Sequence, residues 1–395
     1  MQSTNPINLI ERKRKRKQKN FDNQISNNYE LNSTNSNEIK NNKNNNDVCE
    51  FILPFNSEDT IFVNDNPKFE FKEDIVKPNI SNSEFNLIYE VFNSILNNNP
   101  YLVLSNNSYL SLDIIDIKSK NIINRLKGHE ITITKIRYFL NGENKKEYLL
   151  SSSFKNIITW DIQNSYNIEY KINIFNNSFY TYNSLLLFNI KNENIIISSC
   201  SGWETTKIYS LNNHHFIKEI KNTISNFTLC ILYWYNKKDN CSYFIEICKD
   251  FIYIYNITKD KFYIKLYSKN KGEEKLLLIT CFESGFLYND EYLCVSSADG
   301  CICIYNLIKK EMERFMNING SKLYDIIMWD KRYIITADFK NGSVKIIDFE
   351  QLRIITDING SQTQRVKYIN KFYHPIYGKS LLTGNTDGSL KLWVS

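Results

Sequence analysis

The chain of 395 residues is 42% hydrophobic and 14% aromatic, enough to fill one large core or two ordinary ones. It has no run of 18 apolar residues to span a bilayer as a helix, and its polar, basic start lacks the apolar stretch of a signal peptide, so a soluble intracellular protein is expected. Its nine cysteines show no metal-ligand or disulfide-framework spacing and read as buried thiols, while the formal charge of +6 is carried entirely by residues 11–19, leaving the rest of the chain neutral.

Residues 1–50 open with the basic run Arg12, Lys13, Arg14, Lys15, Arg16, Lys17 and Lys19 and continue as an Asn- and Ser-rich tract with few large apolar residues. Such a segment buries too little surface to offset the entropy of ordering itself, so a disordered tail is expected. The basic run reads as a nuclear localisation signal, a contact for a polyanion, or a solvated charge block. Residues 51–68 contain Phe51 to Phe55 and Ile61 to Val63, apolar enough to dock on a rim or to serve as a short linear motif.

From Phe69 the pattern becomes that of strands. Phe69 to Val76 alternates; after Pro78 come Phe85 to Phe92, Tyr101 to Leu104, Tyr109 to Ile114 and Ile122 to Leu126. A Lys127-Gly128-His129 step leads into Ile131 to Phe139, Tyr148 to Ser153, and Asn156 to Asp161. Toward the C-terminus the same unit appears three times with its turn intact: an alternating run, Asp299-Gly300, Asn341-Gly342 or Asp387-Gly388, and a second alternating run. That is the strongest short-range hairpin signal, and a two-residue turn is expected at each. The dipeptides recur after 42 and then 46 residues, the period of a four-stranded propeller blade.

Gly128-His129, followed some thirty residues later by Trp160-Asp161, resembles the signature of the WD-repeat family. The resemblance implies a hydrogen-bonded network bracing the blade, built here from His129, Ser151 or Ser152, Asn156 and Trp160. Later blades keep the turn and the closing aromatic but replace the His. Third strands then end at Ile115, Trp160, Tyr209, Tyr255, Tyr305, Ile347 and Trp393. Seven ends imply an all-β fold: a seven-bladed propeller of four-stranded antiparallel blades over residues 69–395. In the third blade, Ser201-Gly202-Trp203-Glu204 stands where a turn is expected, and the fourth is read from alternation alone.

Because the sequence stops just after the third strand of the seventh blade, Phe69 to Val76 is expected to supply the missing outer strand beside Leu390 to Val394 and so close the ring.

No constellation of residues reads as an active site, cofactor site or metal site. His214 and His215 are placed in a turn, Cys301 and Cys303 alternate onto one face of a strand as packing residues, and Gly378-Lys379-Ser380 lacks the leading glycine and following helix of a phosphate loop. Basic residues of the body do not gather beside stacking aromatics in a nucleic-acid module, so nucleic acid is expected only at the basic tail. The resemblance implies a non-enzymatic scaffold for other proteins, a subunit of an intracellular, nuclear complex. The alternative is a module reading a peptide or histone tail at the mouth of the channel. Turn residues before each first strand are the candidate partner contacts, above all Tyr324 and Arg365.

Overall fold

Alternating sequence runs punctuated by short polar turns can satisfy their backbone groups only by pairing with their neighbours, and they do so in seven separate sheets. The computed structural model describes residues 67–395 apart from 77–88, 96, 107–109, 142–144, 154, 174–182, 191–192, 201–204, 212–214, 222–227, 249–250, 268–281, 319 and 360–364. The tail, the basic run, residues 51–66 and the Ser201 to Glu204 turn lie outside the described residues.

The first described strand, β1 (Glu70–Val76), belongs to the last blade. Blade one is β2 (Tyr89–Asn93), β3 (Pro100–Asn106), β4 (Ser111–Asp116) and β5 (Ile122–Lys127). Blade two is β6 (Ile133–Leu140), β7 (Glu147–Ser153), β8 (Asn156–Asp161) and β9 (Asn167–Asn173). Blade three is β10 (Asn183–Ile190), β11 (Glu193–Cys200), β12 (Thr205–Ser210) and β13 (His215–Lys221). Blade four is β14 (Thr228–Asn236), β15 (Cys241–Cys248), β16 (Phe251–Asn256) and β17 (Lys261–Tyr267). Blade five is β18 (Phe282–Tyr288), β19 (Tyr292–Ser297), β20 (Cys301–Asn306) and β21 (Glu311–Asn317). Blade six is β22 (Leu323–Met328), β23 (Tyr333–Asp338), β24 (Ser343–Asp348) and β25 (Arg353–Asn359). Blade seven is β26 (Val366–His374), β27 (Gly378–Asn385), β28 (Leu390–Val394) and, outermost, β1. Neighbouring strands are antiparallel in every blade, and no helix occurs among the described residues. His215 opens an outer strand paired to Ser210 and does not lie in a turn.

Each blade buries both faces, so the second and third strands lose the inside-outside alternation of a one-sided sheet; β7, β8, β15, β20, β23 and β24 are almost wholly buried. Alternation survives as a choice of neighbour. On β20, Cys301, Cys303 and Tyr305 pack toward blade four, while Ile302 and Ile304 pack toward blade six. The core is therefore seven interfaces, one between each pair of adjacent blades, and first strands touch in a closed circle, with β2 against both β6 and β26.

The last interface depends on β1. It pairs antiparallel with β28, Phe71 opposite Trp393 and Asp74 opposite Lys391, and Ile75 is buried with Leu102 and Ile115 of blade one and Leu382, Leu390 and Leu392 of blade seven. An N-terminal strand thus completes the C-terminal sheet and covers what would be an open edge.

The seven residues Ile115, Trp160, Tyr209, Tyr255, Tyr305, Ile347 and Trp393 are each penultimate in a third strand, and each sits at a β-bulge in the pairing with the outer strand. The bulge carries one extra outer-strand residue and increases local twist, which lets a flat sheet become a propeller blade. In five blades the anchor is followed by an Asp or Asn whose side chain caps the next turn: for example, Asp116 Oδ1 accepts from Lys118 N at 2.8 Å, Asn256 Oδ1 from Lys259 N at 2.7 Å, and Asn306 Oδ1 from Ile308 N at 3.0 Å. These are Asx turns, which explains Asp or Asn at that place. Unlike its counterparts, Trp393 is only half-buried: it packs against the core between blades six and seven and is met edge-on by Phe71 of β1.

Candidate interaction face

The blade-two network forms around one hydroxyl. Ser151, on β7, is fully buried; Trp160 Nε1 donates to its Oγ at 2.8 Å, and its Oγ lies 2.6 Å from His129 Nε2. A hydroxyl carries one proton and two lone pairs, so Ser151 Oγ accepts from the indole and still exchanges a second hydrogen bond with the imidazole, whichever tautomer His129 adopts. Burial pushes His129 down to about 4, with the Asn156 side chain opposing and the Lys171 charge adding to the shift. Asn156 also braces the second-to-third-strand turn: its Oδ1 accepts from Ser153 Oγ at 3.1 Å. Gly128 precedes the histidine because a Cβ there would come within 3.0 Å of Trp160. A serine hydrogen-bonded to histidine suggests nucleophilic chemistry, but here the hydroxyl is fully buried and held by the indole as well as the imidazole, so the pair is a brace.

The other turn residues occupy one face, the upper one, where second strands hand over to third strands and where the chain enters each first strand. Three- and four-residue loops replace the expected two-residue turns. Only the glycines, Gly300, Gly342 and Gly388, have positive φ, with Gly300 N donating to Ser297 O and Gly388 N to Asn385 O, each at 3.1 Å. An ordinary turn closed by one left-handed glycine demands nothing unusual of the preceding Asp or Asn, which is free to tie the loop with its side chain. Asp299 receives Ser297 Oγ, Asn341 Nδ2 donates to Asp338 Oδ2 at 2.7 Å, and Asp387 Oδ1 receives Ser389 Oγ at 2.6 Å. In blade seven Trp393 Nε1 donates to Thr383 Oγ1 at 3.0 Å, repeating the Trp160–Ser151 bond without a histidine.

Tyr324 and Arg365 meet through a residue that sequence reasoning did not single out. Tyr324 stands in β22 as the extra residue of a bulge, between Leu323 paired to Asp338 and Asp325 paired to Ala337. A bulge re-aims its residue, and Tyr324 packs at 4.6 Å from Phe339 in the blade-six turn. Arg365, exposed just before β26, holds its guanidinium 5.2 Å from the Phe339 centroid. Lys322 Nζ lies 5.1 Å from the Tyr324 ring and 5.6 Å from Phe339, and Lys367, the bulge residue of β26, lies 5.9 Å from Tyr324. Phe339 itself is half-buried and follows Asp338, a carboxylate held below its ordinary range: burial opposes the charge, but Ser321, Asn341 and the Lys322 backbone all donate to it. No alternation marks a single aromatic in a turn, which is why Phe339 was not legible.

Below this cluster the channel is lined by charged residues of the first strands. Arg137 Nη1 pairs with Glu90 at 3.2 Å, and Asp325 accepts from Ser284 Oγ at 2.9 Å and from Ile369 N at 3.0 Å. Arg137 beside it, together with burial, pushes Lys135 down to about 8, while burial raises Glu90 and Asp325. On the opposite, lower face Tyr373, Ile376 and Tyr377 of blade seven are exposed, with Asn93 Nδ2 of blade one donating to Tyr373 O at 3.1 Å, while exposed Ile95 is tied by its amide to Glu147 of blade two at 2.9 Å. Among the described residues no three His, Cys, Asp or Glu side chains gather to hold a metal ion, and no helix is long and apolar enough to cross a membrane. Cys230, Cys241, Cys248, Cys294, Cys301 and Cys303 are free thiols.

Fold and surface together define a seven-bladed β-propeller of the kind that commonly serves as a platform for other proteins. No family model matches the chain, and no curated protein matches it either.

Proposed function

We propose that this protein is a divergent WD-repeat propeller acting as a non-enzymatic scaffold, a subunit of an intracellular multiprotein complex, that engages its partner with the upper face at blades six and seven. The observation that carries this reading is the Tyr324–Phe339–Arg365 cluster: large side chains set on a bulge, a braced turn and a strand entrance, within a closed ring. Aromatic side chains lose little entropy on binding, and aromatics and arginine dominate the energetic hot spots of protein interfaces. The WD-repeat reading rests on Gly128-His129 and Trp160-Asp161 together with the His129–Ser151–Trp160 bonding order.

The histone-tail alternative needs acidic residues beside the aromatics, whereas this cluster holds Lys322, Arg365 and Lys367; its sign speaks against a lysine-rich tail. The basic run Arg12 to Lys19 supports a nuclear location, tested by imaging the tagged protein with and without that run neutralised. The scaffold reading is tested by recovering the tagged full chain and its Arg365→Glu variant from native cells. Partners held by the wild type and lost from the variant support it; an identical partner set would overturn the assignment of this face.

A further inference from the structure

We infer that the cluster at blades six and seven binds an acidic, extended peptide segment of a partner protein, in which carboxylates alternate with apolar side chains. The inference rests on the scaffold reading and names the chemistry of its partner.

Charge is the first argument. Among the described residues no ion pair involves Lys322 or Arg365; the ion pairs of blade six use Arg332 with Asp348 and Lys345 with Asp338 and Asp357. The carboxylates adjacent in sequence are engaged elsewhere. Asp338 is fully buried and receives Ser321, Asn341 and Lys345, and Asp325 faces the channel, receiving Ser284 and the Ile369 amide. Lys322 and Arg365 are instead held over aromatic rings, a contact that positions a cation without neutralising it.

Arrangement is the second argument. The cations do not converge on a point, as a single phosphate would require: Arg365 lies over Phe339, Lys367 stands between Tyr324 and Tyr368 at 5.9 and 5.3 Å, and Lys322 is near both Tyr324 and Phe339. Spread charges with apolar surface between them match a ladder of carboxylates on an extended chain, and the planar edge of the Arg365 guanidinium suits bidentate contact with one of them. Nucleic acid fits less well, since stacking needs open ring faces and Tyr324 and Phe339 already lie against each other at 4.6 Å under their cations.

The test uses the full chain with Arg12 to Lys19 neutralised, so that the tail cannot supply the binding. Fluorescence anisotropy follows a labelled twelve-residue peptide alternating Asp or Glu with Leu or Phe, the same peptide with Asn and Gln for the acids, a neutral peptide with one phosphoserine, and an oligouridylate. The acidic peptide is expected to bind at least tenfold tighter than its amide counterpart, to weaken with salt, and to lose at least tenfold in Arg365→Glu and in Lys322→Gln. Arg365 is exposed and Lys322 half-buried, and melting curves check that each variant is folded. Equal binding of acidic and amide peptides, binding unaffected by either variant, or preference for the phosphopeptide or the RNA would overturn the inference. If the acidic peptide fails while partner recovery from cells still depends on Arg365, the scaffold reading stands and the acidic partner is wrong.

Discussion

Phe71 lies opposite Trp393 in the register of the last blade, its ring meeting the indole edge-on at 5.5 Å, so the first described strand of the chain is locked to the last. Closure by this pairing makes the ring one cooperative unit, because the two blades it joins also support the rest of the circle. Ile75, buried between blades seven and one, carries more of the energy than the half-exposed Phe71. Ile75→Asp is expected to cost at least about 3 kcal/mol, and Phe71→Ala about 1 kcal/mol or less. Chemical denaturation measures both; loss of blade seven alone, seen as a separate early transition, would contradict closure.

The buried His129 predicts an acid-sensitive fold. Its ordinary value is 6.5 and its folded value about 4, so as pH falls through this window the unfolded chain takes up a proton that the folded chain refuses. The folded state is therefore penalised progressively from about pH 6.5 down to about pH 4, by roughly 3 kcal/mol in all. His129→Gln removes this contribution, and stability measured from pH 7 to pH 4 should fall less steeply in the variant. An unchanged slope would show that His129 titrates normally in the folded protein.

Removing single members of the same network should be costly in order of what is left buried without a partner. Ser151→Ala strands both the Trp160 N–H and His129 and is expected to cost about 2–4 kcal/mol, whereas Trp393→Phe, at a half-buried site, costs about 1 kcal/mol or less. Gly300→Ala adds a Cβ 2.6 Å from Ile318 O at a residue with φ of +85°, and a loss above 2 kcal/mol is expected. Thermal melting of the purified variants ranks them.

The cysteines of blade five offer a chemical test of packing. Burial pushes Cys301 up to about 12 and Cys303 well above the ordinary thiol range, in the interface between blades four and five. Iodoacetamide at pH 8 should leave both unmodified in the folded protein and label both in denaturant, as read by peptide mass spectrometry. Labelling without denaturant would mean that this interface opens.

Local rules made the scaffold legible. Gly300, Gly342 and Gly388 marked turns because a left-handed residue was required there, and Trp160, Tyr209, Tyr255 and Tyr305 marked strand ends because each buries a large ring beside a bulge. Even the closing strand could be read, since a third strand ending at Trp393 needs a partner. Turn length could not, because Asp-Gly fits both a two-residue turn and a longer loop closed by glycine. Of the proposed interaction face, Tyr324 and Arg365 were singled out from their positions before or at first strands, but that Phe339 lies beside both is seen only in three dimensions, from a turn tied down by the buried Asp338. The bulges that turn Tyr324 and Lys367 outward likewise depend on pairing register, which side-chain alternation does not encode.

The most direct test of the central claim places a photo-reactive residue at exposed Lys340, in the turn that bears Phe339, and another at exposed Ile376 on the lower face. Irradiation in native cells, followed by mass spectrometry of the adducts, should yield a defined set of proteins from position 340 that disappears when Arg365→Glu is added. Adducts only from position 376, or position-340 adducts indifferent to Arg365, would contradict the claim that the protein works through this face.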